Sequence, residues 1–326
     1  MSDIQLTAAS DMKQKRNYKS EILKFTKNNF VVIAFIALII WGGFASPAFL
    51  TLSNIKTVLL QNSIYAICAL GMLFIVITGG IDLSVGSYVV VAVCFTAGFI
   101  QDGRGVLAIV IVTLMSILFG IISGTLIAYA KVAPFIATLA MTTILRGIAY
   151  IYQVGQNRRI DGTFWPKFIQ GSLLGIPIPV LILFITYLIV TFLLKKTKYG
   201  RGIYAIGGNS ETARLAGINV KKYIIITYAL GGFLFGLAGM ILAGRLSMGT
   251  ATVGEGYELD AIAAVVVGGA TLSGGVGSPI KTLVGAFLIG ALMNIMNLMG
   301  IASYPQMIIK GIIIVAAVLM HRDSSH

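Results

Sequence analysis

The sequence predicts an all-α polytopic membrane protein of about ten transmembrane helices, some broken at glycines, with a short capped helix on the cytoplasmic side. Three observations predict it. First, 57% of the 326 residues are hydrophobic and only 11% are charged, against roughly 25% charged in a soluble domain, and the mean hydropathy is +0.94. Second, ten apolar segments follow one another, each near the ~20 residues that cross a bilayer or somewhat shorter. Third, the basic residues are unevenly placed. With ten spans and a cytoplasmic start, sixteen of the 24 Lys and Arg fall on inner segments and six on outer ones. That asymmetry obeys the positive-inside rule and puts both termini in the cytoplasm. It also accounts for the net charge of +13 without nucleic acid as a partner.

Residues 1–29 form a polar, basic cytoplasmic segment with Lys13, Lys15, Arg16, Lys19, Lys24 and Lys27. Gly43-Phe44-Ala45 has the small residues of a cleavage site, but the leader is too long for a signal peptide, so the first run is a retained anchor. One continuous membrane domain is expected over 30–320, followed by a cytoplasmic tail at 321–326. Its apolar segments are 30–50, 58–78, 86–100, 105–130, 133–153, 177–194, 223–246, 259–275, 281–299 and 302–320. The third and eighth are short and flanked by glycine. Cys68 and Cys94 lie in apolar runs with no metal or disulfide spacing and are expected to be packing residues.

The second segment ends in Gly79-Gly80-Ile81-Asp82-Leu83-Ser84-Val85-Gly86-Ser87. A related run, Gly268 to Ser278, repeats GG, two residues, LS and then VGS, with Gly274-Gly275 inserted. Paired breaks of this kind suggest an internal duplication, and such breaks usually line a pathway. Irregular backbone at membrane depth must be buried in protein or face water. Asp82 lies at that depth, where an ionisable group is a functional candidate, and capping a helix that starts near Ser84 is compatible with that role. Gln61 and Asn62 on one span, with Asn294 and Asn297 three apart on another, are candidates for the same passage or for helix–helix hydrogen bonds. Arg146 and Lys310 are expected to snorkel to the outer interface.

Two outer segments exceed simple turns. Val154–Ile176 carries Arg158, Arg159 and the aromatic pair Phe164-Trp165, which suits an interfacial helix. Ser247–Asp260 carries Glu255, Glu258 and Asp260 before an apolar helix. These acids either compensate a helix dipole or, with Arg158 and Arg159, form a docking surface for an external partner.

The long polar interruption is 195–222. Asn209 or Ser210 caps a helix of about two turns, Glu211 sits in its first turn, Thr212, Ala213, Arg214, Leu215 and Ala216 continue it, and Gly217 ends it. Such a helix is too short to be stable alone, which implies support from its own protein and from a partner. The chain has no G-x-x-x-x-G-K-[ST] loop to cradle a nucleotide. Both histidines, His321 and His326, lie in the tail, and no nucleophile–base or metal constellation is present. Neither an enzyme nor a bound cofactor is expected.

GGIDLSVGS at 79–87, PFIATLAMTTILRG at 134–147, GGNSETARLAGI at 207–218, GYELDAIAAVVVGGATLSGG at 256–275 and SYPQMIIKG at 303–311 closely resemble the ribose-type membrane permeases of bacterial ABC sugar importers. The likeness runs from about residue 30 to 320. It implies a homodimer of about ten-span subunits in the inner membrane, a cytoplasmic ATPase with two nucleotide-binding halves, and a periplasmic or surface sugar-binding protein that supplies most of the selectivity. It also implies that Asn209–Gly217 is the coupling helix seated in the ATPase, and that the cargo is ribose or an aldohexose such as allose. The alternative is an ion-coupled secondary sugar transporter with Asp82 as its ion site.

Overall fold

In the computed structural model, residues 29–322 are described. The basic segment expected at 1–29, apart from Asn29, and the end of the tail lie outside them. The helices are α1 (Phe30–Ala45), α2 (Leu52–Ile77), α3 (Val85–Gln101), α4 (Val106–Ala128), α5 (Pro134–Gln153), α6 (Phe164–Ile169), α7 (Ile178–Lys196), α8 (Lys198–Gly208), α9 (Ser210–Leu215), α10 (Val220–Leu246), α11 (Tyr257–Val267), α12 (Pro279–Leu298) and α13 (Ser303–Arg322). Each of the ten apolar segments corresponds to one helix. Six of the described helices, α2, α4, α5, α7, α10 and α12, are long and apolar enough to cross a membrane, so this is a multi-pass membrane protein.

Helix α10 is the axis of the bundle, packed against α4, α3 and α2. Small residues permit that proximity, because between apolar helices in lipid the attraction comes from close backbone packing. Gly232 and Gly236 of α10 face Ser116 and Gly120 of α4; a Cβ on Gly232 would meet the Ser116 carbonyl oxygen at 2.5 Å. One face each of α4, α5 and α7 is left apolar and exposed, as at Leu118, Leu139 and Phe184. A bilayer covers such faces in a spanning helix.

The non-membrane end beyond α10 is tied by short strands. β1 (Arg158–Arg159) pairs antiparallel with β4 (Met248–Gly249), and β2 (Ser172–Leu173) pairs with β3 (Ile176–Pro177). Between them α6 closes the C-terminal end of α10. The Trp165 indole N–H donates to the Met240 carbonyl at 2.8 Å, and the Gln170 amide donates to the Gly244 carbonyl at 3.0 Å. Gly244 is one of the last four residues of α10, whose carbonyls lack partners within the helix, and the Trp165 bond adds a second donor to a carbonyl one turn earlier. Trp165 is 8% exposed, its indole held against α10 by that bond.

Helix α11 covers little more than half of its apolar segment, 259–275. α11 has 11 residues, about 16 Å at 1.5 Å per residue, against a hydrocarbon core of about 30 Å. It starts deep in the bundle because the segment after β4 runs inward, with Thr250, Ala251 and Gly254 buried. There the start of α11 meets the start of α3: a Cβ on Gly86 would lie 2.8 Å from the Glu258 carboxylate. Helices α3 and α11 thus meet at their N-terminal ends.

The polar stretch 195–222 also differs from expectation. It folds as two helices, α8 and α9, rather than one. In α8, Tyr199, Ile203 and Ile206 recur at helical spacing and pack inward, while Thr197 accepts from the Gly200 N–H at 3.2 Å. Four glycines in eleven residues concealed this helix, because glycine weighs against helix by propensity.

Candidate functional site

Two sites emerge, a polar cavity beside the middle of α2 and a backbone junction at its C-terminal end.

The cavity has a volume of about 200 Å³ and lies among α2, α11, α12 and α13. Four of the passage candidates, Gln61, Asn62, Asn294 and Asn297, line it. Their partners differ. Asn294 exchanges two amide hydrogen bonds with Asn54, each 2.9 Å, which staples α12 to α2. Asn297 accepts from the Gln306 amide at 2.7 Å. Asn62 is 3% exposed and its amide nitrogen has no hydrogen-bond partner. It projects where Gly290 of α12 leaves space, since any Cβ there would overlap the Asn62 amide.

Sequence reasoning missed the charged wall of this cavity. Asp260 and Lys310 form an ion pair at 2.5 Å and both line the same space. Lys310 does not snorkel outward, and Asp260 does not stand with an external docking set. The cause is the inward run before α11, which carries the first turn of that helix to the level of α13. Two opposite charges inside apolar segments were the available signal, since such groups usually pair. Tyr65, stacked obliquely on Tyr257 with ring centroids 4.6 Å apart, completes the wall. Arg146 has no ion pair among the described residues.

Asp82 and Ser84 lie outside the cavity. Asp82 is 1% exposed and Ser84 is buried. The Ser84 N–H donates to the Asp82 carboxylate at 2.7 Å, and the Ser84 hydroxyl donates to the same oxygen. Asp82 thereby organises the entry to α3, which Thr138 and Thr142 of α5 brace: Thr138 accepts from the Leu83 N–H at 3.1 Å and Thr142 donates to its carbonyl at 2.8 Å.

Of the remaining docking candidates, Arg159 and Glu255 are exposed, and Glu258 is half-buried against α3. Arg158 is held inward, its guanidinium 4.6 Å above the Tyr152 ring and donating to the Tyr152 carbonyl.

The junction gathers both glycine breaks and α8. α2 and α11 end alike. Gly79 and Gly269 take φ of +78° and +86°, and the following N–H reaches back five residues in each case, Gly80 to Ile75 and Ala270 to Val265, both at 3.1 Å. Glycine is favoured in that left-handed position. The structural match therefore pairs Gly79 with Gly269, one residue off the match of the two GG pairs. The second break then folds back onto the first, and the Gly275 N–H donates to the Ile77 carbonyl at 2.9 Å. Gly207 of α8 is wedged between them, its Cα position 2.9 Å from where a Gly274 Cβ would stand. Side chains are absent from this contact, so three segments meet backbone to backbone.

Directly after Gly208 comes α9. Asn209 is its cap, accepting from the Thr212 N–H at 2.8 Å. Ala213 is its buried residue, while Ser210, Glu211, Thr212, Arg214, Leu215, Ala216 and Gly217 are exposed. Hydrogen bonds from Arg214 to Glu211, at 3.0 and 2.5 Å, hold the Glu211 carboxyl below its ordinary value. Gly217 ends the helix with φ of +85°.

The model of the family described as "Branched-chain amino acid transport system / permease component" matches residues 54–318. The chain is 43% identical over 291 residues to the ribose import permease protein of Bacillus subtilis, covering 88% of this chain and 90% of that one. It is 42% identical over 311 residues to the ribose import permease protein of Haemophilus influenzae, covering 92% and 96%. To the D-allose transport system permease protein of Escherichia coli it is 31% identical over 315 residues, covering 96% of each. No solved structure matches the chain.

Proposed function

The chain belongs to the family of branched-chain amino acid transport system permease components, is the permease subunit of a sugar importer, and from that premise we propose that its cargo is ribose. The observation that carries the proposal is the 43% identity to a ribose import permease along nine-tenths of both chains. The subunit works as a homodimer in the bacterial inner membrane, with ten spans and both termini cytoplasmic. A separate ATPase with two nucleotide-binding halves hydrolyses ATP, and an external sugar-binding protein delivers the cargo to a surface that includes Arg159 and Glu255.

In this reading α9 is the coupling helix. Its exposed Leu215 and its Glu211–Arg214 pair meet the ATPase. Closure of the ATPase halves moves α9, and the motion passes through Gly207 and Gly208 to both glycine breaks. Those breaks end α2 and α11, which line the cavity about 22 Å away along α2, at 1.5 Å per residue. ATP binding thus biases the bundle between outward- and inward-open states by differential contacts. The ion-coupled alternative finds no support: the relatives are import permeases, and Asp82 is committed to Ser84 away from the cavity.

The test is reconstitution in vesicles with the cognate ATPase and binding protein. Ribose-loaded binding protein is expected to stimulate ATP hydrolysis and drive ribose accumulation. Ribose flux without the ATPase overturns the reading.

A further inference from the structure

We propose that the cavity among α2, α11, α12 and α13 is a monosaccharide-binding site, so that the membrane subunit recognises its cargo directly through Asn62 and the Asp260–Lys310 pair. This deepens the importer reading and rests on it for the class of cargo.

Asn62 is buried, its amide nitrogen has no partner, and it lines the cavity. Leaving such a donor unpaired costs on the order of 1–3 kcal/mol. A ligand hydroxyl at this point removes that cost. The position is built rather than accidental, because Gly290 supplies the space that the amide occupies. Neighbouring Asn294 donates its amide to Asn54 and Asn297 accepts from Gln306 through its amide oxygen, whereas the Asn62 amide N–H is buried without a partner, so Asn62 is the buried donor open to cargo.

The charge balance selects a neutral ligand. Asp260 and Lys310 neutralise each other at 2.5 Å, which leaves no net charge to hold an ion or a free carboxylate. Together they still offer an acceptor and donors to one ligand, as vicinal hydroxyls require. Tyr65 adds an aromatic ring to the lining, which suits the apolar part of a sugar. At about 200 Å³ the space falls below the roughly 300–1,000 Å³ of drug-sized ligand pockets and suits one small sugar. An amino acid with a branched apolar side chain fits it poorly, since both of its charged ends need partners that the ion pair has already engaged.

The experiment is equilibrium binding of tritiated ribose to the purified subunit in lipid nanodiscs, without ATPase or binding protein. Saturable binding with Kd on the order of 1 mM is expected, displaced by other pentoses but not by leucine. Asn62→Ala should weaken it by about tenfold and reduce discrimination against a deoxy analogue of ribose, because a donor built for a hydroxyl rejects the analogue that lacks it. A purely structural asparagine would not change that ratio. The double variant Asp260→Lys with Lys310→Asp keeps the charge pair for folding and should alter the order of sugar preference. Absence of saturable ribose binding, binding indifferent to Asn62→Ala, or displacement by leucine overturns the site. Stimulation of ATP hydrolysis by the ribose-loaded binding protein reports separately on the importer reading, which stands or falls independently of these outcomes.

Discussion

Asn62 and Asn294 are the same residue type on neighbouring helices, yet Asn294 is a staple and Asn62 is an open donor. Partners, not identity, set the role of a polar residue in a membrane bundle. Asn209 illustrates the same point outside the bundle. Its side chain accepts from the Thr212 N–H, and a cap of this kind is worth about 1 kcal/mol. Over the six residues of α9 that is a large share of local stability. Asn209→Ala is expected to leave the amount of protein in the membrane unchanged while reducing ATPase stimulation several-fold, measured in reconstituted vesicles. Trp165→Phe removes the indole bond to the Met240 carbonyl, which keeps its donor within α10. A loss of about 1 kcal/mol is expected, read as a lower melting temperature of the purified protein.

At the scale of elements, hydropathy located every apolar helix but not its depth. Apolar period and length say that a segment is buried; they do not say where it starts along the membrane normal. That is why α11 was expected as a span over 259–275, although it is an 11-residue helix entered from a buried loop. It is also why Asp260 was placed outside. Its pairing with Lys310 joins residues fifty positions apart, and no local pattern encodes such a contact. The α9 helix was legible because caps are local: an asparagine, an acid in the first turn and a terminal glycine. α8 was illegible because its glycines serve tertiary contact instead of helix propensity. Those contacts are testable. Gly207→Val places a side chain against the Ile77 backbone, which has no rotamer with which to yield. The expected outcome is loss of coupling between ATP hydrolysis and transport, or loss of folded protein, measured as transport per ATP and by size-exclusion profile. Normal transport by this variant would show that the junction opens freely.

For the whole molecule, the junction closes the C-terminal end of α2 and the cavity opens beside its middle, and the proposed orientation puts the junction on the cytoplasmic side. Orientation is open to direct measurement. Cys68 and Cys94 are buried, so single cysteines introduced at Arg159 and Arg214 can be labelled with an impermeant maleimide. Labelling of the Arg159→Cys protein in intact cells, and of the Arg214→Cys protein only after permeabilisation, is the expected pattern; the reverse would invert the topology. The exposed apolar faces of α4, α5 and α7 further mean that detergent must replace lipid along these helices before either labelled form can be purified.

The backbone junction has one more consequence, for how such proteins diversify. A contact built from main-chain atoms is blind to the side chains on either side of it. Residues proposed to choose the energy-supplying partner, on α9, and those proposed to choose the cargo, around Asn62, can therefore change in separate lineages without re-matching each other. Provided that Gly79, Gly207, Gly274 and Gly275 are kept, an α9 loop grafted from one importer to another should retarget the partner and leave the cargo as it was.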